Sequence, residues 1–141
     1  MYLDTSVVVA LYAREADSER CEAVTSGSDG FFSSELLRGE MTHALLAKER
    51  ANIISADLRE KIWTKFQEHL ADGTVQLVPL NGIILRAATE VMTEVHPHVP
   101  LRTLDAIHLA TFLSVDAGPL FTRDRRMLDA ARRLNIPLAG V

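Results

Sequence analysis

The chain has 141 residues, 48% hydrophobic and 24% charged, which excludes a disordered chain and suits one domain over residues 1–141. A formal net charge of −4 argues against a broad basic surface for nonspecific nucleic-acid binding, and one cysteine, Cys21, excludes an internal disulfide and a thiolate zinc site. No apolar run reaches membrane-spanning length and the start lacks the basic segment of a signal peptide, so a reduced, cytoplasmic setting without a membrane is expected.

The opening stretch MYLD reads as a short strand running straight into a helix over SVVVALYAR. A second helix is expected over roughly Asp17 to Thr25, then a turn at SGSDG. GFFSS contains a short strand, and Ser33 or Ser34 is positioned to cap the helix ELLRGEMTHALLAKER. SADLREKIWTKFQEHLADG is an amphipathic helix that Gly73 stops. TVQLVPL is rich in strand formers, NGIILRAATEVMTEV is helical, and HPHVP is a loop. LRTLDAIHLATFLSVDAG reads as helix, PLFT as strand, RDRRMLDAARRLN as helix and IPLAGV as a final strand. Strands alternating with helices predict an α/β fold, three layers (α/β/α) around a mostly parallel central sheet. Ligands in such sheets sit beyond the carboxyl ends of the strands. Asp4 falls at that end of the first strand, and Thr122 and Asp124 fall at or just past that end of PLFT.

An ionised carboxylate inside an apolar segment needs a partner, because burying it alone is very costly. Asp4 lies in such a segment, beside the hydroxyls of Thr5 and Ser6. All three are good helix caps, and either hydroxyl could cap without Asp4. Glu40 borders the core stripe Leu37, Met41, Ala44 and Leu45, whereas Glu35 sits in the first helical turn and reads as structural. Asp105 stands in a helix that is apolar on nearly every side. It has either an ion pair with Arg102, one turn earlier, or a metal, with Arg102 then touching a bound group or a phosphate. The metal is the favoured reading. Asp124 opens a helix and is a cap or a ligand; Asp129 pairs with Arg132 or Arg133. His43 and His108 each follow an acid by three residues and read as satisfied histidines in the core or behind the acids. The arginines Arg123, Arg125, Arg126, Arg132 and Arg133 read mainly as solvated helix faces, and Trp63 with Phe66 as core or subunit interface. Four carboxylates from four elements thus converge at one sheet edge. Oxygen donors of this kind suit Mg²⁺ or Mn²⁺, which activate water and stabilise charge developing on a phosphodiester.

YLDTS, SSELLRGEMTHALL, LRTLDAIHLATFL and LFTRDRRMLDAA, in this order, make the chain resemble the PIN-domain ribonucleases, particularly the VapC toxins of bacterial toxin–antitoxin pairs. The resemblance covers essentially the whole chain. It implies a PIN-like fold and a metal-dependent endoribonuclease, usually dimeric, that cleaves cellular RNA and is silenced by a cognate antitoxin. The family's acidic quartet falls on Asp4, Glu40, Asp105 and Asp124, and its hydroxyl position on Thr122. A phospho-receiver domain is disfavoured, since VQLVPLN holds no aspartate and Lys65 is the last lysine. A PIN-like module that only binds, without cleaving, is the remaining alternative.

Overall fold

The computed structural model describes all residues, Met1–Val141. Four short strands form its sheet: β1 (Tyr2–Leu3), β2 (Phe31–Ser34), β3 (Val75–Val78) and β4 (Leu120–Phe121). Their order is β3-β2-β1-β4, and every pair is parallel. The chain therefore moves outward from β1 to β3, then returns to the other side of β1 for β4. That reversal opens a crevice at the carboxyl ends of β1 and β4, where open α/β sheets bind ligands.

Helices cover both faces. On one lie α1 (Thr5–Tyr12), α2 (Ser18–Thr25), α3 (Leu36–Arg50) and α4 (Ala56–Asp72); on the other, α5 (Gly82–Val95), α6 (Thr103–Leu113) and α7 (Arg125–Arg133). The two-residue period of a strand divides the side chains between the layers. Tyr2 and Leu120 enter the α5–α7 layer, whereas Leu3 and Phe121 enter the α1–α4 layer. All four are at most 1% exposed. Burial of each contributes about 1.5–3 kcal/mol, which anchors the central pair under the site.

The caps explain most helix boundaries. Ser55 accepts from Leu58 N at 3.1 Å and Asn81 from Ile83 N and Ile84 N at 3.0 Å. Gly73, with φ +84°, ends α4 in the left-handed region, as its position in the sequence predicts. The two serines before α3 divide their work: Ser34 Oγ accepts from Leu36 N at 3.2 Å, while Ser33 Oγ donates to Leu3 O at 2.7 Å and ties β2 to β1. Glu35 pairs with Arg38 at 2.6 Å, away from the crevice.

Two expectations change. IPLAGV makes a single bridge, Leu120 to Leu138, instead of a strand. Pro137 has no N–H to extend the ladder, and Gly140, with φ +71°, turns the chain away. The α6 helix starts at Thr103 and stops at Leu113, short of Gly118, its last turn closed by Ser114 N on Ala110 O at 3.2 Å. Phe66 is fully buried in the core, so of the Trp63–Phe66 pair only Trp63 reaches the surface. No helix is long and apolar enough to cross a membrane.

Candidate active site

The parallel register of β1 and β4 builds the floor of the site. Tyr2 pairs with Leu120 and Leu3 with Phe121, so the next residues to meet are Asp4 and Thr122. Thr122 Oγ1 donates to Asp4 Oδ2 at 2.7 Å and accepts from Asp124 N at 3.0 Å. One hydroxyl thereby links the ends of both strands. Asp4 also caps α1: Oδ1 accepts from Val7 N at 3.2 Å and from Ser6 Oγ at 2.8 Å. Only 4% of Asp4 is exposed. Burial pushes its carboxyl above the usual value, and the neighbouring His108 with the bonds from Thr122, Ser6 and Val7 offsets only part of this. A buried acid held in this way gains from a nearby cation.

Asp124 caps α7, with Oδ1 accepting from Met127 N at 3.0 Å. Its Oδ2 accepts from Arg102 Nη2 at 3.0 Å, and Arg102 Nε donates to Asp105 Oδ2 at 3.0 Å. The ion pair between Asp105 and Arg102 therefore exists, and Arg102 spans two acids instead of one. Glu40 reaches in from α3. Its Oε1 accepts from Thr5 Oγ1 at 2.7 Å and from His108 Nε2 at 2.6 Å. Burial alone raises Glu40; the His108 bond, then that of Thr5, outweighs it and leaves the carboxyl below its usual value.

All four acids line one cavity of about 830 Å³, together with Thr5, Ser6 and Arg102. Thr122 lies beneath it, behind Asp4. His43, His108, Glu15 and Arg123 also reach its wall. Each acid is held by internal donors, and no three acidic or imidazole side chains stand at metal-ligating spacing. The donor set itself is carboxylate with no thiolate, which fits a hard divalent cation.

Sequence reasoning named the four acids, the neighbouring Thr5, Ser6, Arg102 and Thr122, and His108 as a histidine in the core or behind the acids; it did not reach Tyr2 or the cluster of Glu15 with Lys48 and Arg123. His108 is buried, as a satisfied histidine should be, and touches Glu40, Thr5 and Tyr2. Tyr2 has a readable signal: it shares a strand face with Asp4, two residues on. Arg123 is no solvated residue. It donates to Glu15 Oε2 at 2.6 Å, Asp17 Oδ2 at 3.2 Å and Ser6 O at 2.9 Å. Lys48 completes the cluster at 2.7 Å from Glu15 Oε1. No local pattern announces contacts between residues so far apart in the chain. Asp129 does pair with Arg132, at 3.2 Å.

The Glu15 cluster fastens the loop after α1 to α3 and to the β4 end. Burial raises Glu15, but the bonds from Lys48 and Arg123 outweigh it and the carboxyl lies below its usual value. Its stabilisation is thus present above the unfolded pKa and lost as pH falls through the lower folded value. Glu15→Gln is expected to cost about 2 kcal/mol at pH 7 in urea unfolding. The difference from the original protein should vanish at acid pH.

A family model described as PIN domain matches residues 1–133. The chain belongs to the PIN-domain family. Among its relatives is Ribonuclease VapC46 of Mycobacterium tuberculosis, 35% identical over 138 residues, covering 96% of this chain and 93% of the relative. The likeness places the chain with VapC-type PIN domains, and the all-parallel sheet between helical layers agrees.

Proposed function

We propose that the chain is a divalent-metal-dependent endoribonuclease of toxin type. The observation that carries this reading is the meeting of Asp4, Glu40, Asp105 and Asp124, from four separate elements, in one cavity at the sheet's reversal point. The ribonuclease name of a relative that matches nearly the whole chain adds support. Asp4, Asp105 and Asp124 would hold Mg²⁺ or Mn²⁺, with Glu40 directly or through a water. The bound ion supplies a Lewis acid for the scissile phosphate and lowers the pKa of water. The residues contribute position: Thr122 and Ser6 fix the Asp4 carboxylate, and Thr5 fixes Glu40. Arg102, at the open side of the site, takes an RNA phosphate. Attack by water leaves a 5′-phosphate and a 3′-hydroxyl.

The decisive experiment incubates the purified protein with total RNA and Mn²⁺, with and without chelator, and maps new 5′ ends. Metal-dependent 5′-phosphate ends support the reading. RNA binding without cleavage at any metal concentration would make the chain a binding module. Mapping 5′ ends in cells that express the chain alone then separates transfer, ribosomal and messenger RNA targets.

The same site defines the inhibitor. A cognate antitoxin silences the enzyme in the cytoplasm by bringing an Arg or Lys among the four acids, where like charges favour a cation. Its affinity is expected to fall as Mg²⁺ rises at constant ionic strength. Unchanged affinity across that titration, and on replacing the basic residue, would exclude this route. The enzyme is also expected to sediment as a homodimer at micromolar concentration, with a monomer contradicting it.

A further inference from the structure

We infer that His108, supported by Tyr2, is a positioning residue that fixes one oxygen of Glu40 and turns the other toward the cavity; this rests on the metal-dependent reading above. Glu40 Oε1 accepts both bonds that the side chain makes, from Thr5 at 2.7 Å and from His108 at 2.6 Å. Oε2 takes neither, and the carboxylate lines the cavity. One oxygen is thus an anchor and the other is presented.

The anchor is itself braced. His108 is 2% exposed, and its Nδ1 lies 3.0 Å from the hydroxyl of Tyr2, which is fully buried. An ionised Glu40 carboxylate can only accept, so Nε2 carries the hydrogen of the 2.6 Å bond to it. Nδ1 is then left to accept from the Tyr2 hydroxyl. Edge-on packing of Tyr2 against His108 and Phe112 fixes the phenol in turn.

The placement of these residues is economical. Tyr2 stands on the strand that delivers Asp4, and His108 lies one turn beyond Asp105 on α6. The chain Tyr2–His108–Glu40 therefore locks together the elements that carry three of the four acids. A histidine that merely satisfied the core would need no short bond to a carboxylate facing a cavity. Hydrogen bonds behind a ligating carboxylate set its direction and basicity.

The test uses the full chain and Mn²⁺ alone as the probe. Nitrogen NMR of the metal-free protein is expected to find the proton on Nε2 of His108; a ring without it overturns the inference. By calorimetry, His108→Leu should weaken Mn²⁺ binding about tenfold to a hundredfold. Tyr2→Phe, which keeps ring and volume, should weaken it in the same direction and carries the test if His108→Leu does not fold. His108→Gln, whose amide N–H reaches the place of Nε2, should restore most of the affinity. At saturating Mn²⁺, kcat should fall in His108→Leu and Tyr2→Phe with KM for RNA unchanged. If the original protein binds Mn²⁺ and cleaves while these variants match it, the inference alone fails. Gln behaving like Leu fails it equally. An original protein that neither binds Mn²⁺ nor cleaves removes the metal-dependent reading and this inference with it.

Discussion

Asp4→Asn is expected to lower the cleavage rate by about a thousandfold or more and to leave the fold intact. The loss follows from the role proposed for the carboxylate: a metal that stabilises transition-state charge supplies several kcal/mol, and about 4 kcal/mol is a thousandfold in rate. The fold survives because asparagine keeps the cap. Its carbonyl oxygen still accepts from Val7 N and Ser6 Oγ, the partners of Oδ1. The amide nitrogen then faces Thr122 Oγ1, whose hydroxyl can turn from donor to acceptor. Meanwhile a buried charge disappears from a carboxyl that burial already pushes upward. The metal-free melting temperature should therefore hold or rise, while the rise that Mn²⁺ produces in the original protein is lost. Equal loss of activity with a collapse of the metal-free melting temperature would make Asp4 structural. Melting curves with and without Mn²⁺, beside a single-turnover assay, separate the two.

The contrast between Asp4 and Arg123 shows what the sequence made legible. Asp4 was visible because it breaks an apolar run, and burial of a carboxylate there demands a cause. Its two roles, cap and site member, both follow from standing at a strand end where a helix begins. Asp105 was visible for the same reason within an apolar helix. Alternating strands and helices likewise announced the three layers, since each parallel pair needs a covering helix. Arg123 gave no such signal. An arginine beside others looks solvated, and only the fold brings Glu15, Asp17 and the Ser6 carbonyl to it. The bridging position of Arg102 was half visible: one turn separates it from Asp105, but Asp124 arrives from another element. The IPLAGV segment failed for a local reason that tertiary context exposed. Its apolar residues suit a strand, yet Pro137 and Gly140 limit the pairing to one bridge.

Arg102→Gln is expected to lower the Mn²⁺ concentration for half-maximal cleavage by about fivefold, and to raise KM for RNA at the same time. The guanidinium spans Asp105 and Asp124 at 3.0 Å each, and its side chain is 61% exposed against 15% and 23% for the two acids. The bond to Asp105 and the charges of both acids hold its pKa above the usual value, so it carries a full charge at any working pH. It therefore acts as an internal cation that relieves repulsion when no ion is bound. A divalent ion bound as proposed would have to share those oxygens or displace the arginine. Glutamine removes that competition and leaves the carboxylates more eager for metal. The exposed arginine is also the group best placed to take an RNA phosphate once it swings away. Its loss should reduce the slope of log KM against log salt by about one. The two readouts act in opposite directions, which a general loss of structure would not produce. A metal requirement that stays the same or rises in Arg102→Gln would mean that the arginine does not compete for the acids. An unchanged KM and salt slope would remove its role at the phosphate.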